Sequence, residues 1–431
     1  MIRPAATRKF GEKREAIVHA AAVLINEVGV QATTLAEVAR AIGLNATSVT
    51  YYFPRKEQLV VAVYDQTLTL MEDIARDALS QADPAARLRH FIAAHVELRK
   101  RIRAGERGLT VALSEIRTLD PEVQDPLMAH YLRVVDLVRR FFGEWHDNAE
   151  RALFSARAHI LLEAVMWWPV WSIRYSVLDF ARIEERLFDV LAHGLPAQRG
   201  RFEPEPLTGG WRTGEDDDAT QNEAFLRAAT VMINERGYRG ASVNRIAESL
   251  NVTKGSFYHH HEAKDDLVLA CFQQSYDRLS TVQIAGRDIG TDYWKRLSSV
   301  LAELVDLQFF DRTPLLRTTA LQALDTEHKS GVVTRSNRLA RRFAGMLIDG
   351  IADGSVRPID PLVAGQVIMS TVNSAYEARH WAARFEQPEK AIETYLSVMS
   401  EGVLAELVDL QVFDRTPLLR TTALQALDTE H

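Results

Sequence analysis

Residues 14–64 align without a gap to residues 222–272 at a constant offset of 208, with fifteen identities in 51 positions. The identical pairs include Ala20/Ala228, Asn26/Asn234, Glu27/Glu235, Gly29/Gly237, Ala39/Ala247, Ser48/Ser256, Lys56/Lys264 and Leu59/Leu267. Solenoid repeats run roughly 20–50 residues, so a period this long means two copies of one domain in a single chain. The 431 residues are enough for two or three domains with sizeable cores. Between the copies, residues 195–220 hold Pro196, Pro204, Pro206, Gly200, Gly209, Gly210, Gly214 and the acidic run Glu215-Asp216-Asp217-Asp218. That composition reads as a solvated linker.

Apolar residues recur at helical spacing in both copies. Ile17, Ala20, Ala21, Leu24 and Val28 line one face, and Gly29 stops that helix; Phe225, Ala228, Ala229, Met232 and Gly237 repeat the pattern. Amphipathic stretches follow over Glu57–Leu79, Leu88–Ile102, Leu127–Phe142 and Arg151–Ile173. In the second half they are Asp265–Leu279, Trp294–Phe309, Asn337–Ala352, Pro361–Ala383 and Pro388–Leu404. Period-two alternation is sparse, so the fold class is all-α, in two tandem units. A lone cysteine, Cys271, excludes an intramolecular disulfide framework and a cysteine-based zinc site. The first dozen residues are charged and lack the apolar core of a signal peptide. The most apolar run, Ile160 to Trp171, contains Glu163 and Pro169 and is too short to span a bilayer. A cytoplasmic protein with no membrane partner is the expectation. A net charge of −7 argues against indiscriminate binding to polyanions but not against a local basic patch.

After the first helix, Thr34 can cap a short helix with Glu37 at the capping-box position, three residues on. Gly43-Leu44 makes a tight turn, and Asn45 then caps a second short helix over Ala46 to Tyr52. Ala39 is small where the helices must approach, and Val38, Ile42, Leu44 and Val49 supply a buried wedge. In the second copy Ser242 is the cap, Ala247 the small contact, and Asn251 replaces the turn glycine because it tolerates a left-handed backbone. Thr253 caps a helix over Lys254 to His260. Two short helices joined by such a turn form a helix-turn-helix, whose second helix can enter a major groove about 12 Å wide.

Gly43-Leu44-Asn45-Ala46-Thr47-Ser48-Val49-Thr50-Tyr51-Tyr52-Phe53-Pro54-Arg55-Lys56-Glu57-Gln58-Leu59 resembles the DNA-binding signature of the TetR/AcrR family of bacterial transcriptional regulators. Asn251 to Lys264 resembles the same signature a second time, and Asp353-Gly354-Ser355-Val356-Arg357-Pro358 is similar to a helix connection common in the family. Thr50 stands where the family usually has an aromatic, and His261-Glu262 replaces the usual Phe-Pro. The resemblance implies that Ala46, Thr47, Ser48, Lys254, Gly255 and Ser256 face base edges. It implies that Thr50, Tyr51, Tyr52, Tyr258, His259 and His260 reach bases or phosphates. Lys56 and Lys264 would bind phosphate as point charges, with Thr34 and Ser242 donating from the preceding helix. Residues 3–56 carry 8 Lys/Arg and 4 Asp/Glu, a balance of +4. The equivalent 211–264 carry 7 and 8, a balance of −1, so the first reader should supply most of the electrostatic affinity.

The resemblance further implies domains at 10–56 (first reader), 57–194 (first helical regulatory domain), 221–264 (second reader) and 265–403 (second regulatory domain). Its partners would be an operator in double-stranded DNA and a small-molecule effector held in the helical core. The family usually pairs through its last two helices, here about 150–194 and 360–402, so the halves could pair within one chain or each with its twin in a homodimer. A 26-residue linker reaches roughly 28 Å, which permits pairing within the chain. For the effector, His159, Glu163, Trp167 and Trp171 lie on one long helix and could line a pocket; core packing or a helix interface explains them as well. His259-His260-His261 point about 100° apart along a helix and cannot converge on one metal ion. Glu377-Ala378-Arg379-His380 is a single Glu-x-x-His where a di-iron bundle needs two. No catalytic residues and no cofactor are expected. The rival functions are a helical-bundle enzyme and an adaptor with a vestigial second reader.

The tail repeats an internal segment. Residues 404–431 match 301–328 at an offset of 103, with one mismatch in 28, Phe309 against Val412. The first occurrence should end one helix and begin another at Thr313-Pro314, burying Leu304, Leu307, Leu315, Leu316, Leu321 and Leu324. The duplicate should continue the last helix through about Val412 and then attach loosely.

Overall fold

The computed structural model describes residues 4–209, 221–253, 255, 263–290, 292–324 and 326–406. Among these, helices account for the regular structure, and a lone bridge joins Pro196 to Val356. The chain divides into two compact units, residues 1–80 with 94–137, and residues 81–93 with 138–431.

The first unit holds α1 (Pro4–Ala32), α2 (Leu35–Ala41), α3 (Ala46–Tyr52) and α4 (Lys56–Leu79), with parts of α5 (Pro84–Arg103) and α6 (Pro121–Arg139). Gly29, at φ +80°, breaks α1 three residues before its end, as the sequence predicts. One core joins Ile17, Ala21, Val38, Val49, Leu59, Val63 and Leu68 to Val111, Ile116, Leu119, Val123 and Leu127. Two polar clamps fix the segment around Val111. Asn26 Nδ2 donates to the Thr110 carbonyl at 2.9 Å, and the Ala112 N–H donates back to Asn26 Oδ1 at 3.0 Å. The Val111 N–H donates to Thr67 Oγ1 at 3.1 Å. His130 bridges Asp65 and Glu72, at 2.7 and 2.9 Å.

The second unit contains α7 (Asn148–Trp171), α8 (Phe180–His193), α9 (Gln221–Gly240) and α10 (Val243–Ser249). Then come α11 (Lys264–Ala285), α12 (Tyr293–Phe309), α13 (Thr326–Ala352), α14 (Pro361–Ser374), α15 (Arg379–Ala382) and α16 (Pro388–Ser400). Helices α7 and α8 of the first half pack on α14 and α16 of the second, so the two halves pair within one chain. The seam is pseudo-symmetric. The Leu195 N–H donates to the Met399 carbonyl at 2.8 Å, and the Val403 N–H donates to the Leu191 carbonyl at 2.8 Å. Leu195 and Val403, like Leu191 and Met399, are 208 residues apart, so one bond is the twin of the other. At the crossing Gly194 (φ +69°) and Gly402 (φ +82°) take left-handed conformations. A Cβ on Gly402 would lie 2.3 Å from the Ala192 oxygen, and one on Gly194 would lie 2.9 Å from the Met399 oxygen. Arg357 reinforces the seam: its Nη1 donates to both carboxylate oxygens of Asp189, at 3.0 and 2.9 Å, and its Nε to the Gly194 carbonyl at 2.7 Å.

Three expectations are corrected. The segment read as a solvated linker is packed at its start: Leu195 is buried, Ala197 N–H bonds to Ser355 O at 2.9 Å, and Arg201 pairs with Asp292 at 2.6 Å. Pro196 bridges to Val356 and the Gly200 N–H donates to the Ser400 carbonyl at 3.2 Å, and residues 210–220 lie outside the described residues. The last helix stops at Ser400 rather than near Val412, because Gly402 turns left-handed and the next N–H groups bond across the seam. Residues 407–431 lie outside the described residues. Thr313-Pro314 does not begin a helix; residues 310–317 run as a connection to a 3-10 turn over Thr318–Ala323. Leu304, Leu307, Leu315, Leu316 and Leu324 are nonetheless buried there.

Two stability predictions follow from this packing. Gly402→Ala should lower Tm, by an amount corresponding to at least about 2 kcal/mol, since it adds left-handed strain to a backbone clash. In the first unit His95 is buried, and burial pushes its imidazole down to about 4. The folded state therefore binds fewer protons than the unfolded chain between that value and the ordinary histidine value of 6.5. Its contribution is fully present above 6.5 and is lost as pH falls toward 4, by on the order of 3 kcal/mol. Denaturant titrations of His95→Leu against the parent between pH 7 and 4 should show a flatter profile for the variant.

Candidate nucleic-acid interface

The first reader is built from local signals that all agree. Thr34 caps α2 through its hydroxyl, which accepts from the Glu37 N–H at 3.2 Å, while Glu37 Oε2 accepts from the Thr34 N–H at 2.9 Å. The turn places Gly43 at φ +66°, and the Leu44 N–H closes it on the Ala39 carbonyl at 2.8 Å. Asn45 Oδ1 caps α3 by accepting from the Ser48 N–H at 2.7 Å. Val49 is fully buried and anchors the helix from beneath. The opposite face carries Ala46, Thr47, Thr50 and Tyr51 in the open, with Ser48 and Tyr52 half-buried. Tyr51 is 74% exposed, which settles which of the two adjacent tyrosines reaches outward.

Sequence reasoning missed Phe10. Its ring lies 4.6 Å from Tyr52 and 6.1 Å from Tyr51, so the start of α1 props the aromatic end of α3. No periodicity signals such a contact, since Phe10 sits on an exposed face of its own helix. Lys56 and Thr34 are placed beside the reader but already engaged. Lys56 Nζ donates to the Gln31 carbonyl at 2.9 Å, and the Thr34 hydroxyl donates to Glu37 Oε2 at 2.8 Å.

The second reader repeats the frame. Ser242 Oγ caps α10 by accepting from the Arg245 N–H at 3.3 Å. Asn251 adopts φ +53°, the left-handed turn expected of it, and Val252 N–H closes on the Ala247 carbonyl at 3.0 Å. Lys264 Nζ donates to the Tyr238 carbonyl and lies 3.9 Å from the Tyr238 ring. Thr253 and Gly255 are exposed, whereas Lys254, Ser256, Tyr258, His259 and His260 lie outside the described residues.

The four helical-core candidates do not converge. His159 Nε2 bonds the Ser374 carbonyl at 3.2 Å on the seam, and Glu163 Oε2 accepts from Trp167 Nε1 at 3.1 Å. Trp167 and Trp171 instead line a cavity of about 50 Å³ with Tyr276, Asn337, Gln366 and Asn373 of the second half. Burial pushes the Tyr276 phenol up to about 12, so it stays a neutral donor. Glu377 pairs with Arg317.

A capped recognition helix exposed over a buried wedge defines a helix-turn-helix protein. The description "Bacterial regulatory proteins, tetR family" matches residues 17–63 and again 225–271, and "Tetracyclin repressor-like, C-terminal domain" matches 290–377. The chain belongs to the tetR family and carries its N-terminal unit twice. It is 25% identical over 120 residues to the Transposon Tn10 TetC protein of Escherichia coli, which takes in 26% of this chain and 60% of that protein's length. It is 25% identical over 142 residues to the HTH-type transcriptional repressor KstR2 of Mycolicibacterium smegmatis, covering 32% of this chain and 69% of the repressor. A solved structure, the ketosteroid transcriptional regulator KstR2 of Mycobacterium tuberculosis, superposes with a TM-score of 0.36 at 19% identity, over 44% of this chain and 96% of that one. Among the described residues no helix is long and apolar enough to cross a membrane.

The capping box carries a pH signature. Hydrogen bonds from the Thr34 side chain and backbone hold the Glu37 carboxyl below its ordinary value of 4.5. A depressed carboxyl stabilises the folded state above that value, and the benefit is lost as pH falls through the lowered one. Thr34→Ala should cost about 0.5–2 kcal/mol and flatten the acid limb of the Tm–pH profile.

Proposed function

We propose that the chain is a sequence-specific DNA-binding transcription regulator with two non-identical readers and a small-molecule effector in its helical core. The observation that carries the reading is the outward face of α3, where Ala46, Thr47, Thr50 and Tyr51 stand exposed over buried Val49. The +4 balance of residues 3–56 supplies the local attraction to phosphate that the net −7 of the chain does not. In this reading the domains are the two readers at 10–56 and 221–264, the regulatory domains at 57–194 and 265–403, and the tail from 404. Base edges fall to Ala46, Thr47 and Ser48, with Lys254, Gly255 and Ser256 in the second reader. Lys56 and Lys264, already holding the end of the first reader helix in each copy, add phosphate contacts at the margin. The cavity beside Trp167 and Trp171 marks the effector's place; at about 50 Å³ it must widen to admit one, and that widening shifts the population away from the DNA-competent arrangement, as a repressor requires. Relatives named as repressors support that sign.

Because Ala46-Thr47-Ser48 differs from Lys254-Gly255-Ser256, the operator should have two unlike half-sites. Selection of binding sequences from a random duplex pool with the full chain, followed by footprinting, tests this. The expected product is an asymmetric site with half-site centres about 34–36 Å apart. Thr47→Ala and Tyr51→Ala should each cost about 1–3 kcal/mol of operator affinity. A pool with no enriched sequence would overturn the DNA-binding reading, and a strictly palindromic product would overturn the unlike half-sites.

A further inference from the structure

We infer that Arg317 is a positioning residue that locks the second reader, and not the first, to the helices paired at the seam. The inference rests on the reading of both units as DNA readers and concerns how one of them is governed.

Both copies hold the first reader helix by the same amide clamp. Asn26 reaches Thr110 and Ala112 in the first; in the second, Asn234 Nδ2 donates to the Leu315 carbonyl at 3.0 Å and the Arg317 N–H donates to Asn234 Oδ1 at 2.9 Å. The hydroxyl beside it is also repeated, Thr67 for the Val111 N–H and Ser275 for the Leu316 N–H. An asparagine side chain presents an NH2 donor group and a carbonyl acceptor in one plane, so it can grip an extended segment by two backbone groups at once. That geometry accounts for the identity of Asn26 and Asn234.

The copies differ at the residue whose N–H closes the clamp. In the first it is Ala112, whose methyl group can form no hydrogen bond; in the second it is Arg317, buried to 6% exposure. Arg317 Nη1 donates to the Asn234 carbonyl at 3.0 Å, and Nη2 pairs with the Glu377 carboxylate. Glu377 lies in the 3-10 turn Ala375–Ala378, which directly follows α14. The last residue of α14, Ser374, accepts from His159 of α7 across the seam at 3.2 Å. A buried planar guanidinium with partners on two elements fixes their mutual geometry far better than a flexible ammonium would. Any shift of the turn at Glu377 is therefore felt at α9. Thr318 and Leu321, on the 3-10 turn that follows Arg317, line the cavity beside Trp167 and Trp171, so an occupant there presses on the same segment.

Hydrogen exchange on the full chain tests the lock without DNA, and footprinting on the selected operator tests its consequence. Arg317→Ala should accelerate exchange of α9 amides at least tenfold and leave those of α1 unchanged. Glu377→Gln, which keeps the shape and removes the charge, should act in the same direction should Arg317→Ala fail to fold. The exchanged pair Arg317→Glu with Glu377→Arg should restore protection. On DNA the Ala variant should lose discrimination at the second half-site while keeping it at the first. Equal changes in α1 and α9, unchanged α9 exchange, or no recovery in the exchanged pair would overturn the inference. A parent chain that enriches no DNA would instead sink the DNA-binding reading and leave the exchange result standing.

Discussion

The arrangement of the second unit depends on one crossing, where two left-handed glycines let the ends of α8 and α16 pass backbone against backbone. Hydrogen bonds from Leu195 to Met399 and from Val403 to Leu191 then close across them, each 2.8 Å long. Any side chain at Gly402 would collide with the Ala192 carbonyl and the His193 nitrogen, between the two residues that make these bonds in the first half. Around the crossing, Arg157 lies almost fully buried against Phe142 and Phe154, with one guanidinium nitrogen on the Ala405 carbonyl at 2.9 Å. Burial pushes Arg157 down to about 10, and the neighbouring Glu401 carboxylate offsets part of that shift. A charge this deep costs several kcal/mol when its partner is removed, so the seam is specified by polar groups as well as filled by apolar ones.

Pairing through covalently joined halves changes the character of the assembly. A homodimer must repeat each contact twice, whereas this seam repeats its backbone bonds and varies its side chains. Arg357 grips Asp189 and the Gly194 carbonyl from the second half. Arg357 stands three residues before Asp360, the cap of α14; three residues before Asp147, the cap of α7, stands Glu144, whose carboxylate cannot donate such bonds. The halves are free to diverge because each needs to fit only one partner.

The readers obey a different physics. Helices α2, α3 and α10, seven residues each, are too short to persist alone, so caps and turn residues fix their ends and a few buried side chains fix their faces. The Asn26 and Asn234 clamps then join each to the segment ahead of its 3-10 turn, and in the second copy they satisfy backbone groups that would otherwise be buried without partners.

Sequence alone determined everything that is local or periodic. The repeat announced two copies, helical spacing announced the all-α class, and Thr34, Gly43, Asn45 and Asn251 announced their caps and turns because those residue types satisfy specific backbone groups wherever they occur. What tertiary structure decided were the choices between equally good local options. His159 and Glu163 share a helix face with Trp167, yet only the tryptophans reach the cavity, because α14 covers His159. Prolines and glycines after Leu195 carry the same signal in a linker and in a docked strand; a bridge to Val356 chose the second. Pro388–Leu404 continues a helical pattern through Leu404, but Gly402 sits where another backbone passes, and that neighbour ends the helix. Arg317 and Phe10 were legible as letters only. Their roles arise from partners 60 and 42 residues away, Glu377 and Tyr52, and a long-range contact leaves no period in the sequence to read.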